Sequence, residues 1–121
     1  MSIELIKETT DTPALLFDKS NNKLIMRGKS IAEDPRAFYT RTSETIRNLA
    51  SKTNNIDMVA FCFSYFNTLS AKYIFDLMKA IQTTIPNVTV EWQYEQDDED
   101  MLESGEDFED MLSADFIFTR M

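Results

Sequence analysis

The chain has 121 residues, 43% of them apolar and 12% aromatic, with only two glycines and three prolines. That composition suits one domain spanning residues 1–121, with a core of its own, and excludes a disordered or linker-like chain. A net charge of -9 and no histidine disfavour nucleic-acid binding, which needs Lys and Arg against phosphates, and remove His-based catalysis and the commonest zinc ligand.

The chain opens on Met1-Ser2-Ile3-Glu4-Leu5, without a basic cluster or an apolar signal core, and no later apolar run approaches the roughly 20 residues of a membrane helix. Leu15-Leu16-Phe17 and Leu24-Ile25-Met26 flank Asp18-Lys19-Ser20-Asn21-Asn22, whose Asp and Asn residues tolerate turns, so an N-terminal β-hairpin is predicted. Gly28 closes it. Glu33-Asp34-Pro35 reads as a helix start, with acids at the positive end of the dipole. The spacing of Phe38, Thr42, Ile46 and Leu49 predicts a first helix from about Pro35 to Ala50.

Residues 56–63 are almost continuously apolar, the pattern of a central strand covered on both faces. From Ser70 the rhythm becomes Ala71, Ile74, Leu77, Met78, Ile81 and Ile85, an amphipathic second helix that Pro86-Asn87 ends. Val88, Val90, Trp92 and Tyr94 then alternate with Thr89, Glu91 and Gln93, giving a half-buried strand. An acidic helix or connector at 95–110 follows, and Phe116-Ile117-Phe118 forms a short last strand. Strand-helix-strand units favour parallel pairing, whereas the opening hairpin is antiparallel. The predicted fold is therefore α/β, a mixed sheet backed by two main helices.

Ten carboxylates between Glu95 and Asp110, with no Lys or Arg among them, hold the acidity; without them the net charge is +1. A calcium loop is excluded by pattern: anchoring on Gly105 puts Leu102 at the third position and Met111 at the twelfth. The stretch reads as a solvated connector or a docking surface for a basic partner, with Met101, Leu102, Phe108, Met111 and Leu112 as apolar anchors. The single cysteine, Cys62, lies in an apolar run. It forms no intrachain disulfide and is read as structural, in a reducing, cytoplasmic setting. Gly28 and Gly105 stand alone, without the spaced glycines of a phosphate-binding loop. No cofactor, no metal and no catalytic residue are expected.

The junction Tyr65-Phe66-Asn67-Thr68-Leu69-Ser70-Ala71-Lys72 is the most informative segment, because a buried strand there hands over to an amphipathic helix. Asn67, Thr68 or Ser70 can serve as N-cap, a purely structural task contributing about 1 kcal/mol. A phosphate on Thr68 would instead meet the positive helix end, with Lys72 one turn further on, and add roughly 1.5 to 2 negative charges to a weakly charged surface. That makes Thr68 a candidate switch, with Asn67, Leu69, Ser70 and Lys72 as the surrounding partner-binding surface.

At this motif the chain resembles the SiaC family of bacterial regulatory phosphoproteins, whose fold is similar to the anti-anti-sigma (STAS) domain. The shared marks are Asp11-Thr12-Pro13, Phe17-Asp18, the run from Gly28 to Pro35 with Phe38-Tyr39, Tyr65-Phe66-Asn67-Thr68, and Trp92-Gln93-Tyr94-Glu95 leading into 97–103. The resemblance implies a non-catalytic protein phosphorylated on Thr68 by a SiaB-like Ser/Thr kinase and restored by a SiaA-like PP2C phosphatase. It further implies that the unphosphorylated form activates a SiaD-like diguanylate cyclase in cyclic di-GMP signalling and biofilm growth, the chain being monomeric when free. Leu69 stands where the family usually has Ser, and Ala32 where Pro is common. Two alternatives stay open: an anti-anti-sigma factor using the same threonine, and a carboxylate-based metal enzyme using residues 97–110.

Overall fold

The computed structural model describes residues 2–121. The first hairpin forms as its turn chemistry dictates. Asp18 accepts hydrogen bonds from the Ser20 backbone N–H at 3.0 Å and from Asn21 Nδ2 at 2.7 Å, and Asn22 takes a φ of 54°, which Asn tolerates. This turn joins β2 (Ala14–Asp18) to β3 (Lys23–Ser30), and α1 (Arg36–Lys52), β4 (Met58–Phe66), α2 (Thr68–Thr84), β5 (Thr89–Tyr94), α3 (Glu99–Met111) and β6 (Asp115–Arg120) follow. Ahead of them β1 (Ser2–Ile6) adds a strand that the sequence pattern did not announce. Ser2, Ile3 and Glu4 are exposed, so no burial periodicity marks β1, and pairing with β2 defines it.

The six strands lie in sequence order across one sheet. The pairs β1-β2 and β2-β3 are antiparallel, and β3-β4, β4-β5 and β5-β6 are parallel. Each parallel step is crossed by one helix, as parallel pairing requires. The expectation of a mixed sheet with an opening hairpin is met, and the acidic stretch is a 13-residue helix within it.

All three helices cover the same face. Met26, Phe61, Trp92 and Phe118 are register partners and so share that face. Tyr39 of α1 and Ser70 of α2 bond to Ser30 there, and Phe108 of α3 lies 5.4 Å from the Trp92 ring. The other face has no helix, which corrects the reading of residues 56–63 as covered on both sides: β4 is central laterally, but Met58 and Cys62 on that face are only half-buried. Its apolar run survives on the open face because Ala60, 0% exposed, lies under a polar bridge. Lys23 of β3 reaches Glu91 of β5 at 2.6 Å across β4, and Thr119 donates to Glu91 at 2.6 Å. Burial acts to raise the Glu91 pKa, but these hydrogen bonds and the Lys23 charge together hold it below the ordinary carboxylate value. Cys62, half-buried on the same face, has its thiol pushed up to about 11 by burial and then by Glu91. It stays protonated and is a poor nucleophile.

One irregularity positions the strand-to-helix junction. Between Gly28 and Lys29 the β3-β4 register shifts, so that Gly28 faces Phe63 while Lys29 faces Tyr65. Ser64 is thus the extra residue of a β-bulge. Gly28 has φ of 130°, a conformation that L side chains rarely adopt, so glycine is required. The extra residue inverts the alternation of β4. Tyr65 turns outward and Phe66 turns back into the core, where it lies 5.6 Å from Phe63 and 6.2 Å from Trp92.

Candidate functional site at the start of the second helix

β4 ends at Phe66 and α2 begins at Thr68, with Asn67 between them in extended conformation. Of the three capping candidates, Asn67 holds the position: its Oδ1 accepts the Ser70 N–H at 2.9 Å. Asn67 also donates its own N–H to the Ser30 carbonyl at 3.1 Å, which ties the helix start to the end of β3. Asn67→Ala should destabilise the fold by about 1 kcal/mol, and Asn67→Gly by only a few tenths. Urea unfolding of the two variants checks this, and equal midpoints for wild type and Asn67→Ala would contradict the capping role.

Ser70 departs from its expected place on a partner-binding surface. It is 0% exposed, because the third residue of α2 faces the sheet. Ser30 donates to the Ser70 hydroxyl at 2.9 Å, and Tyr39 OH lies 2.6 Å from Ser30 Oγ. This buried chain of hydroxyls joins β3, α1 and α2 and satisfies polar groups that would otherwise be orphaned. Burial pushes the Tyr39 phenol up to about 12, with the Ser30 hydrogen bond acting the other way, so it stays neutral. Nothing in the sequence pointed to Ser30 or Tyr39 in this role, since their meeting depends on α1 crossing the sheet.

Thr68, Leu69 and Lys72 are exposed. The Thr68 hydroxyl has no hydrogen-bond partner among the described residues, because Asn67 has taken the cap. Leu69 is 49% exposed and Tyr65 57%, so two large apolar side chains flank the hydroxyl on either side in sequence. The Lys72 ammonium sits 5.8 Å from the centre of the Tyr73 ring, a cation-π distance.

Thr68 also borders a cavity of about 350 Å³ whose opposite wall is the start of α3, with Asp98, Asp100, Met101 and Ser104. The acidic stretch is remote from Thr68 in sequence and adjacent to it in space. The cause is topological: β4 and β5 are parallel neighbours, so the helices that follow them start at the same edge of the sheet. Asp98 caps α3 by accepting the Met101 N–H at 3.0 Å. Met101 and Phe108, expected as surface anchors, are buried, whereas Met111 is 59% exposed. Among the described residues no three His, Cys, Asp or Glu side chains converge in a way that could hold a metal ion, and no helix is long and apolar enough to cross a membrane.

Fold and site define a small α/β protein that presents an exposed hydroxyl at the start of a sheet-covering helix. It belongs to the SiaC family: the model described as SiaC family regulatory phosphoprotein matches residues 6–121. Among solved structures, apo-SiaC from Pseudomonas aeruginosa superposes with a TM-score of 0.77 at 21% identity, over 98% of both chains. A chain in the crystal structure of diguanylate cyclase SiaD in complex with its activator SiaC, also from Pseudomonas aeruginosa, gives 0.81 at 21% identity, over 98% of this chain and 99% of that one. Among curated protein sequences none matches significantly.

Proposed function

We propose that this chain is a non-catalytic regulator whose unphosphorylated form binds and activates a diguanylate cyclase, and that phosphorylation of Thr68 ends that interaction. The observation that carries the assignment is the exposed Thr68 hydroxyl, left without a partner because Asn67 performs the capping. A kinase reaches such a group without breaking a native hydrogen bond, so the acceptor can be modified in the folded chain. Membership of a family of regulatory phosphoproteins supports the switch, and the fold likeness to a structure of SiaD with its activator SiaC supports a cyclase as the partner. A Ser/Thr kinase and a PP2C-type phosphatase, acting in the cytoplasm, would set and reset the state.

The test is intact-mass analysis after incubation with the cognate kinase and ATP. One phosphate is expected on the wild type and none on Thr68→Ala, and undiminished labelling of the variant overturns the assignment. Tyr65, Leu69 and Lys72 then form the surface beside the switch, with Ser70 holding the helix end from within.

A further inference from the structure

We propose that a phosphate on Thr68 acts inside the protein as well as at its surface, by repelling the start of α3 and loosening that helix from Trp92. The inference rests on Thr68 as phospho-acceptor and concerns what the modification does next. The cavity beside Thr68 has Asp98 and Asp100 on its far wall and no Lys or Arg in its lining. The β4 end contributes only uncharged groups to it, and α2 lines it with Thr68 and Ala71; Lys72, one turn on, lies outside that lining with its ammonium 5.8 Å from the centre of the Tyr73 ring. A phosphothreonine brings roughly 1.5 to 2 negative charges to this space. Each helix start offers the equivalent of about half a positive charge. Two carboxylates outweigh that on the α3 side, so phosphate and α3 repel.

α3 is poorly equipped to resist. Among the described residues it has no ion pair with the rest of the chain, and its first turn carries Glu99 and Asp100 with no basic residue. Its attachment is local, one hydrogen bond and apolar packing. Trp92 Nε1 donates to the Met101 carbonyl at 2.8 Å, Gly105 lies flush against the indole, and Phe108 packs on Phe66, Phe75 and Trp92. The first of these contacts to be strained is the Met101 bond, one turn from Asp98. Trp92 is the only tryptophan in the chain and is 0% exposed, so its emission reports whether α3 is seated.

The experiment uses full-length chain with phosphothreonine installed at position 68 during translation, so it requires no kinase, and failure of kinase labelling stays a separate result. Amide hydrogen exchange across 99–105 is expected to rise about tenfold relative to the unmodified chain, with exchange in β4 unchanged, as for local opening of one element under like-charge repulsion. Trp92 emission shifts to longer wavelength with it. In the double variant Asp98→Asn and Asp100→Asn, which keeps a side-chain cap at 98, the phosphate should leave exchange near the unmodified level. Unchanged exchange and emission in the phosphorylated chain overturn the proposal. An increase of equal size in the double variant overturns it as well, because repulsion by those carboxylates would then not be the cause.

Discussion

Trp92→Ala is expected to destabilise the protein by about 3–5 kcal/mol, a large part of the roughly 5–15 kcal/mol that holds a domain folded. The indole is fully buried and sits among the rings of Phe61, Phe63, Phe66 and Phe108 at centroid distances of 5.4 to 6.2 Å. Removing it opens a cavity where sheet, α2 and α3 meet, and it strips the Met101 carbonyl of its N–H donor. The same contact is tested from the other side by Gly105→Ala. A β-carbon at 105 falls within 2.8 Å of Trp92 Cγ and closer still to Cδ1 and Nε1, so α3 must shift, at a cost of about 1–3 kcal/mol for overpacking. Urea unfolding followed by circular dichroism measures both. A Trp92→Ala midpoint close to wild type would mean that α3 is not seated on the indole.

If the proposed partner is a cyclase, phosphorylation of Thr68 should lower the affinity for it by about 100-fold, equivalent to about 2.7 kcal/mol. Tyr65 and Leu69, among the most exposed large apolar residues, lie either side of the hydroxyl, and a partner covering them must also desolvate whatever Thr68 carries. A hydroxyl is covered at modest cost, whereas a phosphate loses strong hydration and finds no arginine or lysine in the cavity lining to replace it. Thr68→Asp should lower affinity less, because one carboxylate carries only about half to two-thirds of the phosphate's charge. Titration calorimetry with phosphorylated and unphosphorylated chain decides the matter, and affinities agreeing within about threefold, less than 0.7 kcal/mol, would rule out Thr68 as the switch of that interaction.

The acidic neighbourhood also refines how release works. In sequence the acids lie some thirty residues beyond Thr68; in the folded chain Asp98 and Asp100 share its cavity. A surface already rimmed by carboxylates favours a partner carrying basic groups, and added negative charge alone would attract such a partner. In the proposed switch, release would therefore draw on desolvation at Thr68 and on the proposed displacement of α3.

Periodicity alone carried α1, α2 and the strands of the sheet centre, since Phe38, Thr42, Ile46 and Leu49, or Ile74, Leu77, Met78 and Ile81, bury one face of one element wherever that element docks. The handover from strand to helix was legible as a segment, 65–72, but the cap within it stayed open among Asn67, Thr68 and Ser70. α3 was harder to read. Met101, Gly105 and Phe108 are spaced for one helix face, but the middle member is a glycine, whose value lies in letting the Trp92 ring approach. β1 left no signal, since an exposed edge strand becomes a strand only by pairing.

By itself the sequence singled out a candidate for the chemistry, a threonine opening a helix in a chain without histidine, and pointed to the family the chain belongs to. Tertiary structure alone decided that Asn67 rather than Thr68 caps α2, that Ser70 is sealed in a hydroxyl network with Ser30 and Tyr39, and that the acids face Thr68. Those outcomes depend on which strands are neighbours and on the bulge that turns Tyr65 out and Phe66 in. Both are set by contacts between residues far apart in the chain, which no local pattern records.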